Sequence, residues 1–206
     1  MSRAVQNRLR LWRSIDDFAA ELEGVQADYG DLTIATPSLG FYRDAWVGLR
    51  CARATGAVRL RLGADPPDIE LGYQDGRQLP LEVVEALRTG RRRGDEIRQH
   101  RAKAAAGVST LRHVPGESWP AAAEVLEALS QRAATKAEKG YPPDTVLAIY
   151  LNVGDWDNER SHIEAGMAAA LEVATSVFAD VWVLWHGRFY RTDQAGRVHL
   201  LQGCGS

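Results

Sequence analysis

From Ala57 to Val84 the apolar residues recur at every second position, and that period constrains the fold more tightly than anything else in the chain. Val58, Leu60 and Leu62 alternate with Arg59 and Arg61; Ile69, Leu71 and Tyr73 alternate with Asp68 and Glu70. Neighbouring side chains of an extended backbone point to opposite faces, so these runs predict half-buried strands. A third strand, Gln78 to Val84, follows the turn residues Asp75 and Gly76. Helical spacing surrounds this block. Ser14 with Asp17 resembles a capping box, and Ile15, Phe18, Ala19, Leu22 and Val25 predict a helix over about 15 to 28. Phe41, Ala45, Leu49 and Ala52 share a second helical stripe, which Gly56 stops.

Beyond the hairpin, Thr89 to Ala106 is polar, arginine-rich and made of good helix formers, and Pro120 opens another helix reaching about Lys139. VLAIYLNV, residues 146 to 153, reads as a buried strand, followed by a helix from about Glu159 to Ser176 capped by Asp157 or Asn158. VFADVWVLW, HG and RFYRT predict an aromatic-rich hairpin, with a last strand near Val198 to Leu201. The order is α-α-β-β-β-α-α-β-α-β-β-β, an α/β chain. With no repeat or linker, it reads as a single domain over 1–206: N-terminal helices in 1–56, a core in 57–153, and a C-terminal helix and strands in 154–206.

A 45% share of hydrophobic residues is that of a globular chain, and no apolar stretch has the length a membrane helix needs. The start, MSRAVQNRLRLWRS, lacks the apolar region of a secretory signal, so the expectation is a cytoplasmic protein with no membrane partner. Cys51 and Cys204 form no CxxC pair and are expected to be reduced thiols. A formal net charge of -2 excludes a globally basic nucleic-acid binder but leaves room for a basic face.

The register of the hairpin follows from burial. A two-residue loop at Asp75-Gly76 would set Ile69 opposite Glu82 and Leu71 opposite Pro80, mixing core with polar positions. A three-residue loop, Gln74-Asp75-Gly76, with glycine in the left-handed position, sets Ile69 opposite Leu81 and Leu71 opposite Leu79. That register turns Asp68 toward Glu82 on the other face. Like charges so placed repel unless a proton or cation lies between them, and a hard divalent cation such as Mg2+ takes oxygen clusters of this kind. The Val83 carbonyl could add a third oxygen, and Glu70, with the parity of Asp68, could reach a second ion. The facing pair also predicts that neutralising either acid leaves metal-free stability unchanged or raised.

PPDIEL, the turn and LPLEVVEA together resemble motifs II and III of the PD-(D/E)xK nuclease superfamily: Pro67-Asp68 matches the PD element and Glu82 the acid of the next strand. KAEKGYPPDTVLAIYLN is similar to the segment leading into that superfamily's fourth core strand. The resemblance implies a restriction-endonuclease-like αβββαβ core with a mixed central sheet, an extra N-terminal helix and a C-terminal β-hairpin. It implies Asp68 and Glu82 as catalytic metal ligands for Mg2+ (or Mn2+). Where the family places a lysine two residues after the strand acid, this chain has Val84. Some members carry an acid there instead, which brings in Glu85, although its local reading is an early helix residue stabilised by the dipole. Others take a base from the following helix, where Arg98, Arg101 and Lys103 stand, Lys103 being the favoured substitute. Glu21 or Asp44 from the first helices could complete the site.

Arg88, Arg91, Arg92, Arg93, Arg98, Arg101, Lys103 and Arg112 cluster after the paired acids, against Asp95 and Glu96. Such a strip suits a phosphate backbone, DNA favoured over RNA, and reads equally as a solvated helix face. The tryptophans of VWVLW alternate into a core rather than toward bases. No histidine has metal-ligand spacing, and Asp155, Asp157 and Glu159 lack the glycine and terminal glutamate of an EF-hand. Two functions follow: a metal-dependent nuclease hydrolysing phosphodiester bonds, or a catalytically inactive relative that binds nucleic acid or a protein partner. Either is compatible with a homodimer.

Overall fold

The computed structural model describes residues 2–30, 33, 37–88, 98, 102, 106, 121–153, 160–193 and 195–203. The alternating runs build the centre of an eight-stranded sheet whose spatial order equals the chain order. The first strands are β1 (Arg13–Ser14), β2 (Arg59–Leu62), β3 (Ile69–Gly72) and β4 (Gln78–Ala86). After them come β5 (Val146–Leu151), β6 (Asp180–Trp185), β7 (Arg188–Thr192) and β8 (Val198–Gly203). β4, β5 and β6 run parallel, each joined to the next by a crossover, while the outer strands pair antiparallel. The sheet is therefore mixed and the fold is mixed α/β.

Helices α1 (Ser2–Leu9), α2 (Ile15–Tyr29) and α3 (Phe41–Thr55) cover one face; α4 (Ala122–Ala137) and α5 (Arg160–Thr175) cover the other. The parity of β4 decides which residue meets which layer: Leu81 and Val83 pack with α2 and α3, whereas Val84 and Ala86 pack with α4 and α5. The Ser14 cap accepts the Asp17 N–H at 3.1 Å, and Gly56 ends α3 in the left-handed conformation. Trp182 and Trp185 are buried, as their alternation predicts.

The hairpin register is Ile69↔Leu81, Glu70↔Pro80 and Leu71↔Leu79, the three-residue-loop solution, with Gly76 at φ 86°. Pro80 is tolerated because the β5 ladder begins one residue later, at Leu81↔Val146.

Three local readings change. β4 continues to Ala86 instead of ending near Val84, because Glu85 and Ala86 pair with Tyr150 and Leu151 of β5; Glu85 is a buried strand residue and not an early helix residue. The segment Ser2–Leu9, which carried no prediction, is helical, its Val5 and Leu9 alone supplying the apolar anchor. The polar stretch before α3 holds a 3-10 turn, Pro37–Leu39, that buries Leu39. The arginine-rich helix expected over 89–106 lies outside the described residues except for Arg98, Ala102 and Ala106. No helix among the described residues is long and apolar enough to cross a membrane.

Candidate functional site

β3 and β4 part company at Asp68, and the chemistry gathers where they do. β2 and β3 remain bridged there by the Gly63 N–H to the Asp68 carbonyl at 2.8 Å. The 64–67 loop folds so closely over Gly63 that an added Cβ would lie 1.9 Å from the Pro67 carbonyl oxygen, so only glycine permits this approach. With β3 no longer alongside, the Val83 N–H takes the Asp68 side chain as acceptor, at 2.8 Å to Oδ2. Continuing the hairpin register by one residue sets Asp68 opposite Glu82.

Glu82 is 3% exposed, and Lys136 of α4 donates its ammonium to Glu82 Oε1. The Tyr141 hydroxyl donates to the same oxygen at 2.9 Å. Glu82 Oε2 is buried and has no hydrogen-bond partner among the described residues. These groups line a cleft of about 490 Å³ with Arg43, Asp44, Asp65, Lys139 and Gly140. Burial pushes the Asp68 carboxyl up to about 6; the Val83 N–H opposes this, and the charges of Glu82 and Asp44 reinforce it. Burial alone would lower Lys136, but the Glu82 carboxylate outweighs it and holds the ammonium above the ordinary lysine value. Tyr141 is likewise raised, by burial first and then by Glu82, so it remains a donor at neutral pH.

Two carboxylates, one with an unpartnered buried oxygen and one whose proton affinity is raised by burial, form a donor set that fits a hard divalent cation. No group of three or more His, Cys, Asp or Glu side chains suited to a metal occurs among the described residues. The Val83 group seen to meet the site is its N–H, given to Asp68. Glu70 pairs with Arg61 at 2.8 Å and does not line the cleft. Glu85 points to the opposite sheet face, held by Arg43 at 3.4 Å and by the Asn152 amide at 2.9 Å. Of the two acids offered by the first helices, Asp44 lines the cleft, whereas Glu21 is bound to Arg8 at 2.7 Å beside a different groove.

Lys103, Arg91, Arg92, Arg93 and Arg101 lie outside the described residues; Arg98 is helical and exposed. Lys136 and Tyr141 were not singled out in the sequence, yet a signal existed. Val125, Leu129 and Ala133 mark the buried stripe of α4, and the next position on that stripe is Lys136. A lysine on the apolar face of a helix needs a buried acid, and β4 supplies one.

The Asp68 carboxyl binds its proton more tightly in the folded chain, at about 6, than at the unfolded value of ~3.9. Its ionisation therefore costs the fold nothing below pH ~4, a growing amount between ~4 and ~6, and the full amount above. Discounted for solvent screening, that amount is about 2 kcal/mol. Asp68→Asn should accordingly stabilise the metal-free protein at pH 7.5 by about that much, and by nothing near pH ~4, in paired denaturant titrations. Equal stability of parent and variant at both pH values would show that Asp68 ionises without penalty.

Comparison with family models, with curated proteins and with solved structures returned no match.

Proposed function

We propose that this chain is a metal-dependent nuclease of the PD-(D/E)xK kind, hydrolysing phosphodiester bonds of nucleic acid, DNA favoured over RNA. One observation carries the reading: α4 delivers Lys136 to Glu82, the acid that is followed two residues later by Val84 where the motif has lysine. The order α3, β2, β3, β4, α4, β5 around Asp68 and Glu82 supports a restriction-endonuclease-like core. Mg2+ or Mn2+ held by Asp68 and Glu82 would supply Lewis-acid polarisation of the phosphate and activation of water.

The protein's own groups do the rest. Asp68 adds a negative charge to the cleft that a cation must balance before a phosphate approaches, Glu82 being already paired with Lys136. Lys136 brings a cation to the rim of the carboxylate pair, where it steadies an attacking oxygen and the charge that grows on the phosphoryl group. Lys139, exposed in the turn just past the end of α4, lines the same cleft and can contact a flanking phosphate.

The purified protein is expected to nick or cut single- or double-stranded nucleic acid with Mg2+ or Mn2+, and not with EDTA. Absence of cleavage across DNA and RNA at high protein concentration would overturn the hydrolase reading and leave nucleic-acid binding without chemistry.

A further inference from the structure

The Glu82 carboxylate is asymmetric. Lys136 and Tyr141 both donate to Oε1, while Oε2, although buried, has no partner among the described residues. An unsatisfied buried carboxylate oxygen is costly, and a carboxylate free to turn would share its donors between both oxygens. Something holds it in one orientation. Lys136 cannot do so alone, since an ammonium on a flexible four-carbon stem follows the oxygen wherever it turns. Tyr141 can, because its ring packs against Phe178, with centroids 5.2 Å apart, and from there its hydroxyl donates to Oε1 at 2.9 Å. The hydroxyl also lies 3.5 Å from the Lys136 ammonium, so it aligns both members of the ion pair. The two donors reach the same oxygen because α4 ends at Ala137 and the chain turns through Gly140 at φ 68° before Tyr141.

We infer that Tyr141 is a positioning residue. Its hydroxyl holds Glu82 Oε1 against Lys136, which leaves Oε2 as the oxygen free to meet a divalent cation held jointly with Asp68. This rests on the metal-dependent reading of the cleft and specifies which oxygen of Glu82 the cation meets. It makes the Lys136-to-Tyr141 stretch one unit that supplies both a cation and its aligning donor. Loss of a hydrogen-bonding partner behind a metal ligand typically weakens the metal by about 10- to 100-fold.

The test uses the full chain and Mn2+ as probe, read by calorimetry at pH 7.5, with the Lys136 ammonium titration followed by NMR. Tyr141→Phe keeps the ring against Phe178 and removes only the hydroxyl. It is expected to weaken Mn2+ by about tenfold, to lower the pH at which Lys136 titrates, and to leave the melting temperature nearly unchanged. Phe178→Leu loosens the ring packing but keeps the hydroxyl. It should lower the melting temperature and, with the hydroxyl less firmly aimed, weaken Mn2+ by less than Tyr141→Phe does. If the parent binds Mn2+ and Tyr141→Phe binds it equally well, or if Phe178→Leu leaves the affinity untouched, the positioning role is overturned while the metal site stands. A parent that binds no Mn2+ overturns the metal-dependent reading together with the inference.

Discussion

Asp68→Ala and Glu82→Gln are each expected to lower metal-dependent cleavage by about three orders of magnitude, the scale of the several kcal/mol that a correctly held cation contributes. Lys136→Met should cost about 10²- to 10³-fold, the range for losing a group that stabilises transition-state charge, while Mn2+ still binds. The distinction is measurable. The acid variants bind metal more weakly, so raising its concentration restores part of their rate; the lysine variant binds metal and stays slow at saturation. Below metal saturation the parent should also lose rate as pH drops, because a proton on Asp68 competes with the cation for that carboxylate. Acid variants as active as the parent would remove these residues from the reaction.

The second large effect concerns stability and reverses one expectation. A facing pair of bare acids predicts that neutralising either one is harmless or helpful. That holds for Asp68, whose charge is penalised, but Glu82 is already balanced by Lys136, with side-chain exposures of 5% and 14%. Breaking a buried pair from one side leaves the other charge uncompensated, at about 3 to 5 kcal/mol. Lys136→Met should therefore destabilise the metal-free protein by roughly that amount near pH 7, and Glu82→Gln by a comparable one. The double variant Glu82→Gln with Lys136→Met should recover most of the loss, since a neutral amide beside a thioether strands no charge. Urea titrations of the four proteins give the coupling directly. Additive losses in the double variant would mean that the two groups do not stabilise each other.

The hairpin was legible because burial admits only one register, and that register depends on nothing beyond the alternation of Ile69, Leu71, Leu79 and Leu81. The relation of Asp68 to Glu82 came with it. Glu85 differs from its local reading for a physical reason: a charge just past an apolar strand looks like a helix start, whereas the Arg43 and Asn152 side chains that meet it in β4 are far away in sequence. Lys136 is hidden on similar grounds. Its partner stands 54 residues earlier, the basic segment directly after β4 offers nearer cations, and Lys136 is marked only by its place at the end of the apolar stripe of α4. Short elements such as Arg13–Ser14 lack the length for any period to show.

Because the spatial order of the eight strands repeats their order along the chain, every strand pairs with its immediate predecessor. The cost of each pairing then depends on the length of chain it closes: the β3–β4 and β6–β7 hairpins are local, whereas β4 meets β5 across 65 residues, from Leu81 to Val146. The contacts of Lys136 and Tyr141 with Glu82, bridging 54 and 59 residues, lie inside that same closure. Folding kinetics should follow this division. The buried ion pair forms only once water has left the cleft edge, after β4 has met β5, so Lys136→Met should mainly speed unfolding.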